Sequence, residues 1–223
     1  MTRKALLVVP INNTTMEPEI NAWRPGEPPV MVAKVPRPPR TLLEEDLPAY
    51  GDSTIRSVEP FVANEPSITL YGCTAAGFIG GPRRNAEMVE RLKAATHAPV
   101  VSTAGAMVDV IRREGLRKVT IVSPYVRVVN GCLKNYFAAY DIEVDNLASF
   151  ECATTEHLGR ITQENVFDLA MRTVKHDAQA LFIACSQLPT YDILPRLRDE
   201  LKIPVWSSIA ATASIAEQTS GSP

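Results

Sequence analysis

Two matching segments, each ending in a cysteine, constrain the fold of this chain more than any other feature. One runs from residue 67 to 74 and contains Cys73, and the other runs from 180 to 186 and contains Cys185. Short apolar runs that end in small or polar residues are typical of buried strands in a parallel sheet. Ligand sites in such sheets lie at the carboxyl ends of the strands. We therefore expect both thiols at a sheet edge that can bind a ligand.

The repeat extends beyond the cysteines. A strand-like run ending in a proline precedes each of them at nearly the same spacing, at Pro10 and at Pro124. After each cysteine come a helical stretch, another strand (98–102 or 203–207) and an alanine-rich helix. Landmarks repeated in one order indicate two copies of one unit. We predict an α/β fold of two pseudo-symmetric Rossmann-like lobes, each a short parallel sheet flanked by helices, with the active site between them.

The lobes are assigned to separate parts of the chain. Residues 1–114 together with 208–223 are predicted to form the first α/β lobe, which carries Cys73. Residues 115–207 are predicted to form the second, which carries Cys185. We expect the closing helix to pack on the opposite lobe and the last four residues to be disordered.

Composition excludes several classes of protein. Of 223 residues, 45% are hydrophobic and 22% charged, as in an ordinary globular protein, and the net charge of −2 favours neither nucleic acid nor an anionic membrane. Four cysteines without CxxC spacing argue against a disulfide scaffold or structural zinc. The amino-terminal apolar run is too short for a signal peptide, and no stretch is long enough to span a membrane. Catalytic thiols must stay reduced, which favours the cytoplasm.

Eight prolines between Pro18 and Pro48 exclude a long helix there. The run from Val30 to Val35 is rich in β-branched residues and predicts a strand. We interpret the rest of this segment as a surface connection, in preference to a stiff loop that covers the cleft.

Several side chains beside the predicted strand ends can carry chemistry. A cysteine between a strand and a helix receives the N–H groups of the helix start, which favour a thiolate. Thr74 and Ser186 follow the two thiols and can bind a carboxylate through hydroxyl and N–H groups. Asn13 lies in the polar loop after the first strand, and Tyr125 follows Pro124. The remaining cysteines, Cys132 and Cys152, are interpreted as core or filler residues.

Metal and cofactor sites are not expected. The three histidines, His97, His157 and His176, share no helical i, i+4 spacing, and no glycine-rich phosphate loop occurs. By elimination, the chemistry is expected to use no cofactor.

Four stretches carry a resemblance to a known family: residues 9–14, 71–78, 123–125 and 184–189. Together they resemble the aspartate/glutamate racemase superfamily, in the branch of maleate cis–trans isomerases and arylmalonate decarboxylases. The resemblance implies two lobes that each supply one catalytic cysteine, without metal or cofactor, and it assigns these roles to Cys73 and Cys185. Asn13 and Tyr125 match carboxylate-binding residues of the maleate isomerases, and His157 stands where those enzymes have a second asparagine.

The resemblance implies a cofactor-independent isomerase acting on a small mono- or dicarboxylate, and maleate-type isomerisation is the first choice. Cys73 is expected to add to the double bond, and Cys185 to act as its acid/base partner, before bond rotation and elimination. The predicted substrate-binding residues are Asn13, Thr74, Tyr125, His157 and Ser186. Open alternatives are an amino-acid or hydantoin racemase, an arylmalonate-type decarboxylase, and a catalytically inactive binding protein of the same fold. The resemblance also suggests a homo-oligomer.

Overall fold

Two parallel four-stranded sheets with the same strand order form the frame of the protein. A computed structural model describes residues 4–221, with side chains described through residue 219. The first sheet has the order β2-β1-β3-β4, with β1 at Leu6–Pro10, β2 at Met31–Val35, β3 at Thr69–Tyr71 and β4 at Val100–Ser102. The second has the order β6-β5-β7-β8, with β5 at Lys118–Ser123, β6 at Glu143–Ser149, β7 at Leu181–Ile183 and β8 at Val205–Ser207. The predicted pair of similar α/β lobes is confirmed.

Helices connect the strands and cover both sheets. They are α1 (Met16–Ala22), α2 (Leu47–Val58), α3 (Thr74–Phe78), α4 (Gly81–Thr96), α5 (Thr103–Arg113), α6 (Arg127–Ala138), α7 (Thr155–Gly159), α8 (Gln163–Thr173), α9 (Ile193–Leu201) and α10 (Ser208–Gly221). Two 3₁₀ turns lie at Glu44–Asp46 and Glu59–Asn64. Within the described part of the chain, no helix is long and apolar enough to cross a membrane.

The repeated serines at the ends of β4 and β8 show how the sequence sets equivalent helix starts. Ser102 Oγ accepts the N–H of Gly105 at 3.0 Å, and Ser207 Oγ accepts the N–H of Ala210 at 3.2 Å. A side-chain acceptor at this position satisfies a helix N–H that has no partner within the helix. Both lobes therefore turn from their last strand into a helix in the same way.

Some elements differ from the prediction. The residue types at Asp52 and Ser53 favour a helix cap and predict a helix start there, but α2 begins earlier, at Leu47. The helical stretch predicted after Cys185 begins only at Ile193, so this cysteine is followed by a turn and not directly by a helix. α10 continues to Gly221, within the tail expected to be disordered, and residues 222 and 223 lie outside the described residues.

The carboxyl-terminal helix packs against the first lobe. Thr212 Oγ1 of α10 donates to Thr103 Oγ1 of α5 at 3.2 Å, and Arg113 Nη2 donates to Ser214 Oγ at 3.1 Å. These contacts support the assignment of 208–223 to the lobe formed by 1–114, with 115–207 as the other lobe. The division into lobes stays a prediction, and residues 1–3 are likewise outside the described residues.

Candidate active site

Cys73 and Cys185 line the same cavity between the two sheets. Cys73 follows β3 and forms the amino-terminal cap of α3, while Cys185 lies just beyond the end of β7. Both side chains are buried, with 3% and 6% of their surface exposed. The cavity encloses about 550 Å³ of atom-free space, which includes space open to solvent. The parallel sheets thus bring two thiols from distant parts of the chain to one site.

Burial and hydrogen bonding act on the Cys185 thiol in opposite directions. Burial raises its pKa, while the N–H of Gln187, which donates to Cys185 Sγ at 3.4 Å, and the Tyr125 hydroxyl lower it. The balance leaves the pKa raised, so the group is a protonated thiol at neutral pH. Cys185 can therefore serve as a proton donor in the cavity.

Tyr125 presents a neutral hydroxyl to this thiol. The side chain is buried, and its ring packs against Phe78 with centroids 5.3 Å apart. Its hydroxyl makes no hydrogen bond that satisfies normal geometry with the described residues. Burial raises the pKa of Tyr125 well above its ordinary value, and the Cys185 thiol raises it further. A buried, unpaired hydroxyl beside a thiol is available to a ligand as a hydrogen-bond donor.

Asn13, Thr74 and Ser186 form a hydrogen-bonded junction between the two cysteine segments. Asn13 Nδ2 donates to the carbonyl oxygen of Ser186 at 3.1 Å and to its Oγ at 3.2 Å. Ser186 Oγ donates to the carbonyl of Gly72 at 2.6 Å, and the Ser186 N–H donates to Thr74 Oγ1 at 3.1 Å. All three side chains also line the cavity. Because Thr74 Oγ1 accepts from Ser186, its own proton can be donated towards a ligand.

A second junction lies next to the first. The amide of Gln187 accepts the N–H of Thr14 at 3.0 Å and donates to Thr14 Oγ1 at 3.1 Å. Asn13 Oδ1 accepts the N–H groups of Thr15 and Met16, which starts α1. Both ends of the Asn13 amide are therefore used within the protein. In this structure its evident role is to hold the loop after β1 against the Cys185 segment.

His157 is not brought to the cavity, contrary to the prediction. It lies on α7, is exposed, and lines a separate surface cleft with Arg160 and Asp168. The same short helix instead presents Thr155 and Leu158 to the cavity. The reason is helical geometry, because a residue next to an inward-facing position on a helix points to another side.

Cys152, interpreted from the sequence as a core or filler residue, is buried and also lines the cavity with the other two thiols. Burial raises its pKa to about 11, with a smaller effect from Cys185. The sequence offered no signal for this placement, because Cys152 belongs to an irregular segment beyond β6. Its backbone is held there by Pro124, whose carbonyl accepts the Cys152 N–H at 2.7 Å.

The proline-rich segment forms part of the cavity wall, so its interpretation as a surface connection was wrong. Thr41 N–H donates to the carbonyl of Ala153 at 3.0 Å, and Thr155 N–H donates to that of Pro39 at 2.9 Å. Thr41 Oγ1 also donates to the carbonyl of Cys152 at 3.0 Å. These bonds attach the segment to the second lobe, and Arg37, Thr41 and Leu42 line the cavity.

Tyr50 of α2 lies behind Cys73 and was not identified from the sequence. Its hydroxyl is buried without a hydrogen-bond partner among the described residues. Burial raises the pKa of Tyr50 well above its ordinary value, and Cys73 is the next largest cause. In the sequence, Tyr50 could be recognised only as a residue on the apolar face of a helix. Cys73 and Cys185 thus each have a neutral tyrosine hydroxyl nearby, from Tyr50 and Tyr125 respectively.

The cavity combines thiols, hydroxyls and one cation. Arg37 is the one charged residue among the described residues that line it, and no carboxylate does. Residues 4–221 contain no group of three or more histidine, cysteine or acidic side chains placed to hold a metal ion. The arrangement can bind an anion and exchange protons or form a covalent bond through sulfur.

Comparisons with known proteins connect this geometry to characterised enzymes. The maleate isomerase of Nocardia farcinica is 29% identical over 219 residues, covering 95% of this chain and 87% of that protein. A solved variant of the same enzyme, with a cysteine replaced by serine and a covalently bound succinylcysteine intermediate, is 27% identical with a TM-score of 0.85. That match covers 97% of this chain and 92% of the other. The arylmalonate decarboxylase of Bordetella bronchiseptica is 26% identical over 146 residues, 65% of this chain and 60% of that protein.

A family model described as arylmalonate decarboxylase matches residues 63–221, which are most of the chain and include Cys73, Cys152 and Cys185. The chain therefore belongs to the arylmalonate decarboxylase family, within the maleate isomerase and arylmalonate decarboxylase branch of the aspartate/glutamate racemase superfamily.

Proposed function

We propose that this protein is a cysteine-dependent isomerase that converts maleate to fumarate without a cofactor. The observation that carries the proposal is that Cys73 and Cys185, both buried, line one cavity, and that no carboxylate of the described residues lines it. The similarity to maleate isomerases over most of the chain supports the same reaction. The substrate is accordingly a small carboxylate.

In the proposed mechanism Cys73 is the nucleophile and Cys185 the acid/base group. The Cys73 thiolate adds to one carbon of the double bond, and the electron pair moves to the other carbon and its carboxylate. The Cys185 thiol donates a proton to that carbon, which gives a succinyl thioether on Cys73 and a thiolate on Cys185. Rotation about the new single bond is followed by proton removal by Cys185 and expulsion of the Cys73 thiolate, which yields the trans double bond.

The environment of each group fits its proposed role. Burial keeps Cys185 protonated at neutral pH, as a donor must be. The cap position places Cys73 at the start of α3, where backbone N–H groups point towards an added negative charge. Thr74 and Tyr125 are proposed to bind the substrate carboxylate next to the reacting carbon, and Ser186, held by Asn13, is proposed to position Thr74 through its N–H.

Cellular location and assembly are also proposals. Because thiols of this kind must remain reduced, we place the enzyme in the cytoplasm. We further propose that it forms a homo-oligomer, as the family resemblance suggests.

Proton NMR of maleate with the purified protein under reducing conditions tests the reaction. We expect the maleate signal to be replaced by that of fumarate, and Cys73→Ser to abolish this change. In Cys185→Ser we expect a protein adduct heavier by one maleic acid, which peptide mass spectrometry locates on Cys73.

Two other outcomes would replace the proposal. Deuterium entering the α-position of an amino acid in D₂O, with maleate unchanged, would make the protein a racemase. Loss of CO₂ from phenylmalonate, with maleate unchanged, would make it a decarboxylase, which is the activity named in the family description.

A further inference from the structure

We propose that Arg37, together with its neighbour Asn12, binds the second carboxylate of the substrate and makes the cavity selective for dicarboxylates. This inference rests on the proposed function, because it assigns a binding partner to the carboxylate that is remote from the reacting carbon.

Sheet register brings Arg37 and Asn12 to one place. β1 and β2 are parallel neighbours in which Pro10 pairs with Val35, and the N–H of Ile11 donates to the carbonyl of Val35 at 2.9 Å. Asn12 and Arg37 each lie two positions beyond this last pair, so they leave the sheet at the same edge. Both line the cavity that contains the thiols.

Arg37 carries a positive charge that no carboxylate of the described residues neutralises by an ion pair. Its Nε and Nη2 donate to the carbonyls of Pro38 and Arg40, at 3.4 Å and 2.9 Å, which fixes the plane of the guanidinium. Its Nη1 makes no hydrogen bond with the described residues. The nearby Asp46 is bound instead by Arg40, at 2.7 Å and 2.8 Å. A half-buried guanidinium that has a fixed plane and no ion-pair partner among the described residues is suited to bind a carboxylate ligand.

Asn12 contributes a polar group that the protein leaves unused. Its Oδ1 is buried and has no partner among the described residues. The neighbouring Asn13 differs, because both ends of its amide are bonded within the protein. Turning the amide about its last torsion exchanges its oxygen and nitrogen, so that the nitrogen occupies this buried position and can donate to a ligand carboxylate.

The charge of Arg37 reaches the Cys73 side of the cavity. Burial raises the pKa of Tyr50, Cys73 raises it further, and Arg37 acts in the opposite direction. The guanidinium is therefore close enough to lower the pKa of the Tyr50 hydroxyl, which lies beside Cys73. A substrate whose first carboxylate contacts the hydroxyl donors near the thiols can extend its second carboxylate towards Arg37.

Binding of two saturated acids, succinate and butyrate, tests the inference without requiring turnover. Each is titrated by calorimetry into wild-type protein, Arg37→Gln and Arg37→Lys. We expect Arg37→Gln to weaken succinate binding about 10- to 100-fold, the loss of a charged hydrogen bond, with little change for butyrate. Arg37→Lys should restore part of the preference, because it keeps the charge but loses the planar fork.

The matched control is Arg40→Gln, which removes a nearby arginine that pairs with Asp46 and does not line the cavity. It should leave the ratio of the two affinities unchanged. If wild-type protein prefers succinate and both Arg37 variants keep that preference, the inference is wrong while the proposed function stands. If the wild-type protein does not bind succinate in preference to butyrate, the dicarboxylate site itself is wrong.

Discussion

Tyr125 and Cys185 form a pair in which each group alters the protonation of the other. The Tyr125 hydroxyl lowers the pKa of the Cys185 thiol, against the larger effect of burial. The thiol in turn raises the pKa of Tyr125, after burial. Because the hydroxyl makes no regular hydrogen bond within the described residues, its removal should leave the fold intact and affect mainly the thiol.

We therefore expect Tyr125→Phe to raise the pKa of Cys185 further. The measurement is the rate at which iodoacetamide alkylates Cys185 as a function of pH, followed by peptide mass spectrometry in a Cys73→Ser background. The inflection of this rate profile should lie at a higher pH in Tyr125→Phe than with Tyr125 present. In the otherwise wild-type chain, turnover of maleate should fall about 100-fold, since one donor to the developing charge is lost. Tyr191→Phe, on the surface, is the control. An unshifted inflection in Tyr125→Phe would show that the Tyr125 hydroxyl and the Cys185 thiol do not interact.

For single residues, the sequence predicts a place in the active-site cavity when the residue follows directly after a regular strand. Cys73, Cys185 and Tyr125 were placed at the cavity by their position in the repeat, and the structure puts them there. Cys152 and Arg37 were missed because irregular segments position them. Their placement depends on backbone bonds between residues 39–41 and 152–155, far apart in the chain, which leave no local pattern.

At the level of elements, Gly72 is required where β3 meets the cysteine segment. A Cβ there would lie 2.6 Å from Met16 Sδ, 2.7 Å from Val9 Cγ1 and 3.2 Å from the carbonyl oxygen of Val8. The methionine can move, but Val9 is a stiff side chain in the adjacent strand. Gly72 thus allows β1, β3 and α1 to pack closely directly before Cys73.

Gly72→Ala is expected to destabilise the protein by about 1–3 kcal/mol, as overpacked core substitutions do, and to reduce activity by displacing Cys73. Urea unfolding and maleate turnover measure the two effects. Gly131→Ala is the matched control, since a Cβ at this helical glycine meets nothing within 4 Å and should stabilise by about 0.5–1 kcal/mol. Equal stability of the two variants would argue against close packing at Gly72.

Strands were predicted more accurately than helix starts, and α2 shows why. Asp52 and Ser53 have the composition of a helix cap, but Asp52 lies inside α2 and forms an ion pair with Arg91 of α4 at 2.7 Å. The 3₁₀ turn Glu44–Asp46 runs directly into α2, and Asp46 stabilises the start of that turn by accepting the N–H of Leu43 at 2.9 Å while it pairs with Arg40. Capping propensity identifies residues able to start a helix, whereas tertiary partners determine which of them does.

On the scale of the whole molecule, contacts between the lobes hold Cys73 and Cys185 at fixed positions relative to each other. The bonds of Asn13, Thr74 and Gln187 described above join the lobes next to the cavity. Farther from it, the Glu19 carboxylate of α1 accepts the N–H of Thr190 at 2.6 Å and its hydroxyl at 2.9 Å. The repeat predicted that two lobes face each other, but not these bonds, because they join residues more than 100 positions apart, which leaves no local pattern in the sequence.

Glu19 should make the free energy of unfolding fall as the pH rises, which is the opposite of the effect of a carboxylate whose folded-state pKa is lowered. Burial raises its pKa above the ordinary value of 4.5 and outweighs the lowering by the bonds from Thr190. A raised pKa means that the folded state holds the proton more tightly than the unfolded state. The contribution of Glu19 is therefore fully present below about pH 4.5 and is lost as the pH rises through its folded-state pKa.

Glu19→Gln removes this titration while keeping an amide that can bond to Thr190. Urea unfolding of both proteins between about pH 4.5 and pH 8 should show the wild-type free energy of unfolding decreasing relative to that of Glu19→Gln as the pH rises. Glu17→Gln, on the same helix but without these bonds, is the matched control for the loss of one carboxylate from α1. If the wild-type protein instead gains stability over Glu19→Gln with rising pH, the bonds from Thr190 outweigh burial, and the carboxylate joins the lobes as a favourable charge.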